Sequence, residues 1–378
     1  MTAAKTVGII GGGQLARMMT EAAHSLDVRV LVLEPNHNSP ASQVGAEQVF
    51  GTYFDNEKIL EFAQRCDAIT IDLEHVGVDA LSAVQSMGTR VVPTPESVSI
   101  IQNKYIQKLH LKRNDIPVAP FFEIKAISEN LNEIEGDAIV VKSKLGGFDG
   151  RGNFVFNNVS ESFEDVEAFS NEEYYFEQKV DFTKEISVIG VVSDAETKIK
   201  FFPIFETQQK DNICETVFAP ADISIETSQS AINIAGKTIQ SFKSPGTFAI
   251  EMFVLPNGEV LVNEVAPRVH NSGHLTLGGC NVSQFEQHIR AVLGMELIDP
   301  ELIADFVYMI NILGDRQGPA KVTQNSDLEE LSHPNVNIQV YGKEEVRPQR
   351  KVGHITCWGN SSDEVIQLAN EMYKKVNI

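Results

Sequence analysis

Two apolar runs, Gly246-Thr247-Phe248-Ala249-Ile250-Glu251-Met252-Phe253-Val254 and the stretch ending Val262-Asn263-Glu264-Val265-Ala266, are separated by Pro256-Asn257-Gly258. Asn-Gly is turn chemistry, because both residues tolerate the backbone angles of a tight reversal, so the runs are expected to pair as a hairpin. Folding about that turn sets Glu251 roughly opposite Glu264 on one sheet face. Carboxylates so placed repel unless a divalent cation lies between them. We read them as a magnesium site, with manganese an equivalent occupant; the alternative is two solvated acids at a sheet edge. The second strand runs on into Pro267-Arg268-Val269-His270-Asn271-Ser272-Gly273-His274. A guanidinium, a carboxamide and two imidazoles at that density mark a site.

The chain has 378 residues, 42% hydrophobic and 22% charged, enough for two or three domains with ample core. A formal net charge of −21 argues against nucleic acid or an anionic membrane surface as partner. An anionic substrate must therefore be met by a local cluster of cations. No stretch approaches the roughly 18 apolar residues of a membrane span, and Met1-Thr2-Ala3-Ala4-Lys5 lacks an apolar signal core, so a cytoplasmic protein is expected. Cys66, Cys214, Cys280 and Cys357 lie far apart without a C-x-x-C pair and read as reduced core thiols.

From Thr6 to about Thr94, apolar strands alternate with amphipathic helices, the pattern of a parallel α/β domain. Its first turn, Gly11-Gly12-Gly13-Gln14-Leu15-Ala16, fits G-x-G-x-x-A, and Glu34 closes the second strand; taken alone, this suggests NAD. A helix over Glu96 to Leu111 is expected next, and the extended Ile116-Pro117-Val118-Ala119-Pro120 reads as a boundary. Beyond it, strands are expected at 138–142, 174–178, 185–192 and 200–204, with helices across 228–242 and 283–293, an α+β order. After Pro300 come strands at 306–312, 338–341 and 354–358 and a closing helix over 363–376. The division is thus 1–100, 101–299 and 300–378.

Val141-Lys142-Ser143-Lys144-Leu145-Gly146-Gly147-Phe148-Asp149-Gly150-Arg151-Gly152 places glycines, two lysines and an arginine directly after an apolar strand. Glycine lets backbone N–H groups approach an anion, and the cations neutralise it. The order differs from a Walker loop, because the lysine precedes the glycines. It suits a flap that closes over phosphates, the plainer alternative being a flexible hairpin with solvated charges. Downstream, backbone groups around Glu177, Gln178, Lys179 and Val180 can pair with an adenine edge, and Glu185 can accept ribose hydroxyls, although strand-end acids are often mere surface charges.

This order of elements resembles the ATP-grasp superfamily. Within it, four strings look like the N5-carboxyaminoimidazole ribonucleotide synthetases of purine biosynthesis: Gly11 to Met18, Gly147 to Gly152, Asn263 to His274, and Glu345-Val346-Arg347-Pro348-Gln349-Arg350-Lys351-Val352-Gly353-His354. The resemblance implies a Rossmann-like pre-ATP-grasp domain, an ATP-grasp domain and a small C-terminal domain that completes the substrate site. It also implies an ATP-dependent carbon–nitrogen ligase joining bicarbonate to 5-aminoimidazole ribonucleotide through carboxyphosphate, working as a homodimer. By the same resemblance Lys104, Lys142 and the flap residues Gly147, Phe148, Asp149, Gly150 and Gly152 hold ATP phosphates. Glu177, Gln178, Lys179 and Val180 meet adenine, Glu185 the ribose, Asn263 the nucleotide end, and Glu251 with Glu264 the magnesium. Gln14, Leu15, Glu74, Asp149, Arg151, His270, Arg347 and Lys351 surround the ribonucleotide, while Arg268, Asn271, Lys351 and Arg151 act in the chemistry. Glu34 then becomes an ordinary strand-end acid.

Two departures stand out. Position 104 is Lys where many relatives carry Arg, which keeps the charge. The family's E-N-x-H reads Glu206-Thr207-Gln208-Gln209, which removes an imidazole. His270 and His274 are spaced as in a zinc H-x-x-x-H, but Asn271-Ser272-Gly273 disfavours the helix such a site needs. Rival readings are an ATP-grasp ligase for formate or another carboxylate, an NAD oxidoreductase built on Gly11 to Ala16, and a non-catalytic nucleotide-binding regulator.

Overall fold

The computed structural model describes residues 4–126, 134, 138–146, 152–158, 163–194, 198–320 and 331–376. The N-terminal strands Glu47–Val49, Arg29–Leu33, Thr6–Ile10, Ala68–Ile71 and Arg90–Val91 lie side by side in that order, all parallel. The central ones are nearly continuous Val, Ile and Leu because both faces of a parallel sheet are covered. The helix Gln14–His24 packs Leu15, Ala16, Met18, Met19 and Ala23 into a core shared with Phe285, Ile289 and Val292 of the helix Gln284–Val292. That shared core ties the first region to the middle of the chain.

The single helix expected over Glu96 to Leu111 is two, Pro95–Ile101 and Lys104–Arg113. Asn103 makes the break: its side-chain oxygen accepts the backbone N–H groups of Tyr105 and Ile106, both at 3.1 Å, and so caps a new helix. Lys104 thereby becomes a first-turn residue, with Lys108 one turn deeper along the same face.

A nine-stranded sheet dominates the rest. Its order is Val260–Ala266, Gly246–Val254, Lys184–Val192, Phe205–Lys210, Ile213–Ala219, Phe306–Leu313, Lys351–Gly359 and Val336–Val340, with Lys200–Phe201 beside Lys184–Val192. The expected hairpin forms, and Glu251 pairs directly with Glu264; a register shift follows between Glu251 and Met252. Such a bulge re-aims the side chains beside it. The hairpin of Phe205–Lys210 and Ile213–Ala219 differs from expectation, since Glu206-Thr207-Gln208-Gln209-Lys210 lacks apolar alternation. Its turn signal was Asp211-Asn212, both at positive φ (51° and 62°).

A smaller sheet orders Phe121–Glu123, Tyr174–Gln178, Ile139–Ser143 and Asn153–Phe156. The closing helix Ser362–Lys375 packs on the C-terminal part of the large sheet through Val365, Ala369 and Met372. Among the described residues no helix is long and apolar enough to cross a membrane. All four cysteines are free thiols, three of them buried.

Candidate active site

The two sheets and the N-terminal domain enclose one cleft of about 1950 Å³. Lys142, Glu177, Gln178, Lys179 and Val180 reach it from the small sheet, Glu185, Glu251, Asn263 and Glu264 from the large one. Gln14 and Glu74 enter from the N-terminal domain, and Arg347 and Lys351 from the C-terminal region. Lys104, Arg268, His270 and Asn271 complete the wall. Gly147, Phe148, Asp149, Gly150 and Arg151 lie outside the described residues. Gly152 follows them at φ +81°, where a Cβ would fall 2.5 Å from Ser143 Oγ, so this end of the flap requires glycine.

At the nucleotide end, ammonium and carboxylate groups interleave. Lys104 Nζ donates to Glu264 Oε2 at 2.9 Å, and Lys142 Nζ donates to Asn263 Oδ1 at 3.1 Å. Lys142 also ion-pairs with Glu177 Oε1, while Lys108 Nζ stands 3.0 Å from the other oxygen of Glu177. That second contact is one of charge, without hydrogen-bond alignment. The Glu177 side chain is thus a buried counter-ion, leaving its neighbourhood's backbone to face a base. Burial, reinforced by the Lys108 and Lys104 charges, holds Lys142 well below the usual lysine range. Burial likewise lowers Lys108 to about 7.

The paired acids behave differently. Burial, then repulsion from Glu264 and Glu185, pushes Glu251 up to about 7. Glu264 is pushed up by burial too, but the Lys104 ammonium more than offsets it, and the group sits below the ordinary carboxylate range. Glu185 rises to about 7 by burial, opposed by Lys142 and by a hydrogen bond from Gln209. Gln209 is the residue standing where the family pattern has histidine.

At the other end Arg268 Nη2 donates to Glu74 Oε2 at 2.8 Å and ion-pairs with Oε1 at the same distance. His270 Nε2 lies 3.4 Å from Glu251 Oε1, and its Nδ1 meets Ser272 Oγ at 2.8 Å. Asn271 has both ends of its carboxamide bound to Asn311, at 3.0 and 2.9 Å, so it braces the loop at the cleft wall. Lys351 is buried, and its carbonyl accepts from Lys343 Nζ at 2.6 Å; Arg347 is exposed beside Glu345. The zinc alternative fails on geometry. His274 is fully buried with Nδ1 against Gln284, and among the described residues no group of three or more His, Cys, Asp or Glu could hold a metal.

The first glycine turn also departs from the dinucleotide pattern. Gly12 N–H donates to Glu34 Oε2 at 3.0 Å, and Gly13 and Ala16 N–H groups donate to Asp72 at 2.7 and 3.2 Å. Amides that would cradle a pyrophosphate are occupied by the chain's own carboxylates. Glu34 is accordingly no ordinary strand-end acid: it is buried and also accepts from Tyr53 OH at 2.6 Å. Leu15 packs in the core with only a small part of the residue on the cleft wall. Sequence reading missed Lys108, Asp72 and Lys343. For Lys108 the signal was present, a spacing of four from Lys104 on one helix.

Comparison with known proteins agrees with this geometry. Residues 4–102 match the ribonucleotide synthetase preATP-grasp domain, 109–285 the ATP-grasp domain and 307–368 the phosphoribosylaminoimidazole carboxylase C-terminal domain. The N5-carboxyaminoimidazole ribonucleotide synthase of Staphylococcus aureus is 32% identical over 98% of this chain and 96% of its own length. The phosphoribosylaminoimidazole carboxylase of Ogataea methanolica is 39% identical over 94% of this chain, which spans 67% of that longer protein. Among solved structures, the N5-carboxyaminoimidazole ribonucleotide synthetase of Thermotoga maritima superimposes with a TM-score of 0.85 at 36% identity, covering 98% of both chains. The Aspergillus clavatus synthase complexed with ATP gives 0.87 at 34% identity over 100% of both. The chain belongs to the N5-carboxyaminoimidazole ribonucleotide synthetases, ATP-dependent ligases of the ATP-grasp superfamily.

Proposed function

We propose that this chain uses ATP to join bicarbonate to the exocyclic amine of 5-aminoimidazole ribonucleotide, releasing ADP and phosphate. The observation that carries the reading is one cleft with a lysine- and carboxylate-lined nucleotide end and an arginine-, lysine- and histidine-lined end, supplied by all three regions of the chain. A related structure from Aspergillus clavatus holds ADP and 5-aminoimidazole ribonucleotide, at a TM-score of 0.87 and 33% identity. The proposal keeps the division into 1–100 and 300–378 for the ribonucleotide and 101–299 for the nucleotide. A homodimer working in the cytoplasm belongs to the same reading, on the strength of the family.

Bicarbonate is a poor electrophile, because expelling hydroxide or oxide is prohibitive near neutral pH. Transfer of the γ-phosphoryl group gives carboxyphosphate, which has a phosphate leaving group and delivers its carboxyl to the amine. Lys104 and Lys142 would hold the phosphates, and Arg268, fixed by Glu74, would offset charge growing on the bicarbonate. Arg347, Lys343 and Lys351 can meet the ribonucleotide 5′-phosphate. Glu251 and Glu264, facing each other with Asn263 beside them, are hard oxygen donors that fit magnesium or manganese, and a divalent cation would offset both the burial and the repulsion that raise Glu251. When bound, that cation supplies charge neutralisation at the transferring phosphate.

The test is ADP release that requires both bicarbonate and the ribonucleotide. ADP formation indifferent to the ribonucleotide, or supported equally by formate, would overturn the assignment.

A further inference from the structure

Glu177 is 3% exposed and gripped from opposite sides, by Lys142 at one oxygen and by Lys108 at the other. The two lysines differ in what else they can reach. Lys142 lines the cleft, whereas Lys108, 2% exposed, stands behind Glu177 away from it, with Nζ 3.4 Å from the Val262 carbonyl. Lys108 has little freedom to leave. Its helix is clamped to the Val260–Ala266 strand by Gln107, whose side chain donates to the Val265 carbonyl and accepts from the Val265 N–H, both at 2.9 Å. Lys142 is already turned toward the nucleotide end through Asn263.

A polyphosphate entering the cleft favours the ammonium form of Lys142 and competes with Glu177 for it. If Lys142 were the sole partner, its departure would strand a carboxylate in a site closed to water, and leaving one member of a buried pair uncompensated is strongly unfavourable. Lys108 removes that cost, because a carboxylate that has lost its other partner holds the proton on the lysine 3.0 Å away. The geometry points to Lys108 as a positioning residue for the nucleotide: it keeps Glu177 neutralised from behind, so that Lys142 can exchange its carboxylate partner for the phosphates of ATP. The inference rests on the nucleotide half of the reading above and is independent of which carboxyl acceptor the enzyme uses.

The test is a double-mutant cycle read by calorimetric titration with magnesium ADP, without bicarbonate or ribonucleotide, so that it stands even if the substrate assignment fails. K108M should weaken nucleotide binding by roughly tenfold or more, and K108R should restore most of it. E177Q removes the charge that Lys108 serves, so K108M/E177Q should bind within about threefold of E177Q alone. In turnover, K108M should raise KM for ATP while leaving KM for the ribonucleotide unchanged. A purely structural lysine would show none of this rescue. Wild-type affinity in K108M, or a loss that persists undiminished in the double variant, overturns the proposal. If K108M does not fold, the comparison of K108M/E177Q with E177Q decides alone: equal affinity supports it, and a large further loss overturns it.

Discussion

Asp72 accepts the backbone N–H of Gly13 at 2.7 Å, placing a buried carboxylate at the start of the first helix, where a dinucleotide fold would hold phosphate. Burial raises Asp72 to about 6, with Arg268 and the Gly13 and Ala16 amides opposing that rise. A second anion has no place there. NAD or NADH should therefore give no thermal stabilisation, whereas saturating magnesium ADP, at about 100 times its Kd, should add about 2.7 kcal/mol. A melting-temperature shift with NADH matching that of ADP would reinstate the dinucleotide reading.

Removing either paired acid tests the cation site. E264Q also deprives Lys104 of its 2.9 Å partner, and E251Q relieves the repulsion without supplying charge. Each should lower kcat for ADP formation on the order of 100-fold or more at saturating magnesium. Turnover within twofold of wild type in E264Q would exclude the two-carboxylate arrangement.

The raised Glu251 gives cation binding a defined pH dependence. Its value of about 7 means that the free protein carries a proton there below neutrality, and a cation can bind only the ionised form. Binding of magnesium nucleotide should release close to one proton at about pH 6 and almost none at about pH 8.5. Titrations in buffers of different ionisation enthalpy read this number directly; proton release independent of pH would contradict it.

His288 should set part of the acid stability. It is fully buried, its Nδ1 accepts from Thr247 N–H at 3.2 Å, and its Nε2 meets Thr70 Oγ1 at 2.8 Å, so it links the large sheet to the N-terminal one. The neutral ring satisfies both contacts, and burial lowers it to about 4. Since the unfolded chain binds the proton more readily, stability from this group is intact above about pH 6.5 and falls by up to about 3 kcal/mol as pH drops toward 4. Urea unfolding across that range should show the slope, with a shallower one in H288Q.

The sequence carried the features governed by local rules. The hairpin follows from Asn257-Gly258, which sets Glu251 and Glu264 roughly opposite each other. Their direct pairing needs the bulge, since the register leaving the turn (Val254 with Val260, Phe253 with Leu261, Met252 with Val262) would otherwise set Glu251 against Asn263. The parallel N-terminal sheet was legible in its unbroken apolar strands. What escaped was set by topology. Asp72 reaches a helix start 59 residues away, and Lys108 matters only because the small sheet brings Glu177 against its helix. Asn271 carried the polarity of a reacting group, but its partner Asn311 arrives from a strand 40 residues later and claims both ends of the amide.

The Phe306–Leu313 strand pairs with Ile213–Ala219, so the large sheet runs without interruption across the point where the C-terminal region begins. A protein truncated near residue 300 would bare the Thr216 to Ala219 edge, a row of unsatisfied N–H and C=O groups that invites intermolecular pairing. The last third of the active site is therefore no detachable module. Expressing the chain up to about residue 300 alone should yield aggregation rather than a nucleotide-binding fragment, because the unit that folds and the unit that catalyses are the same.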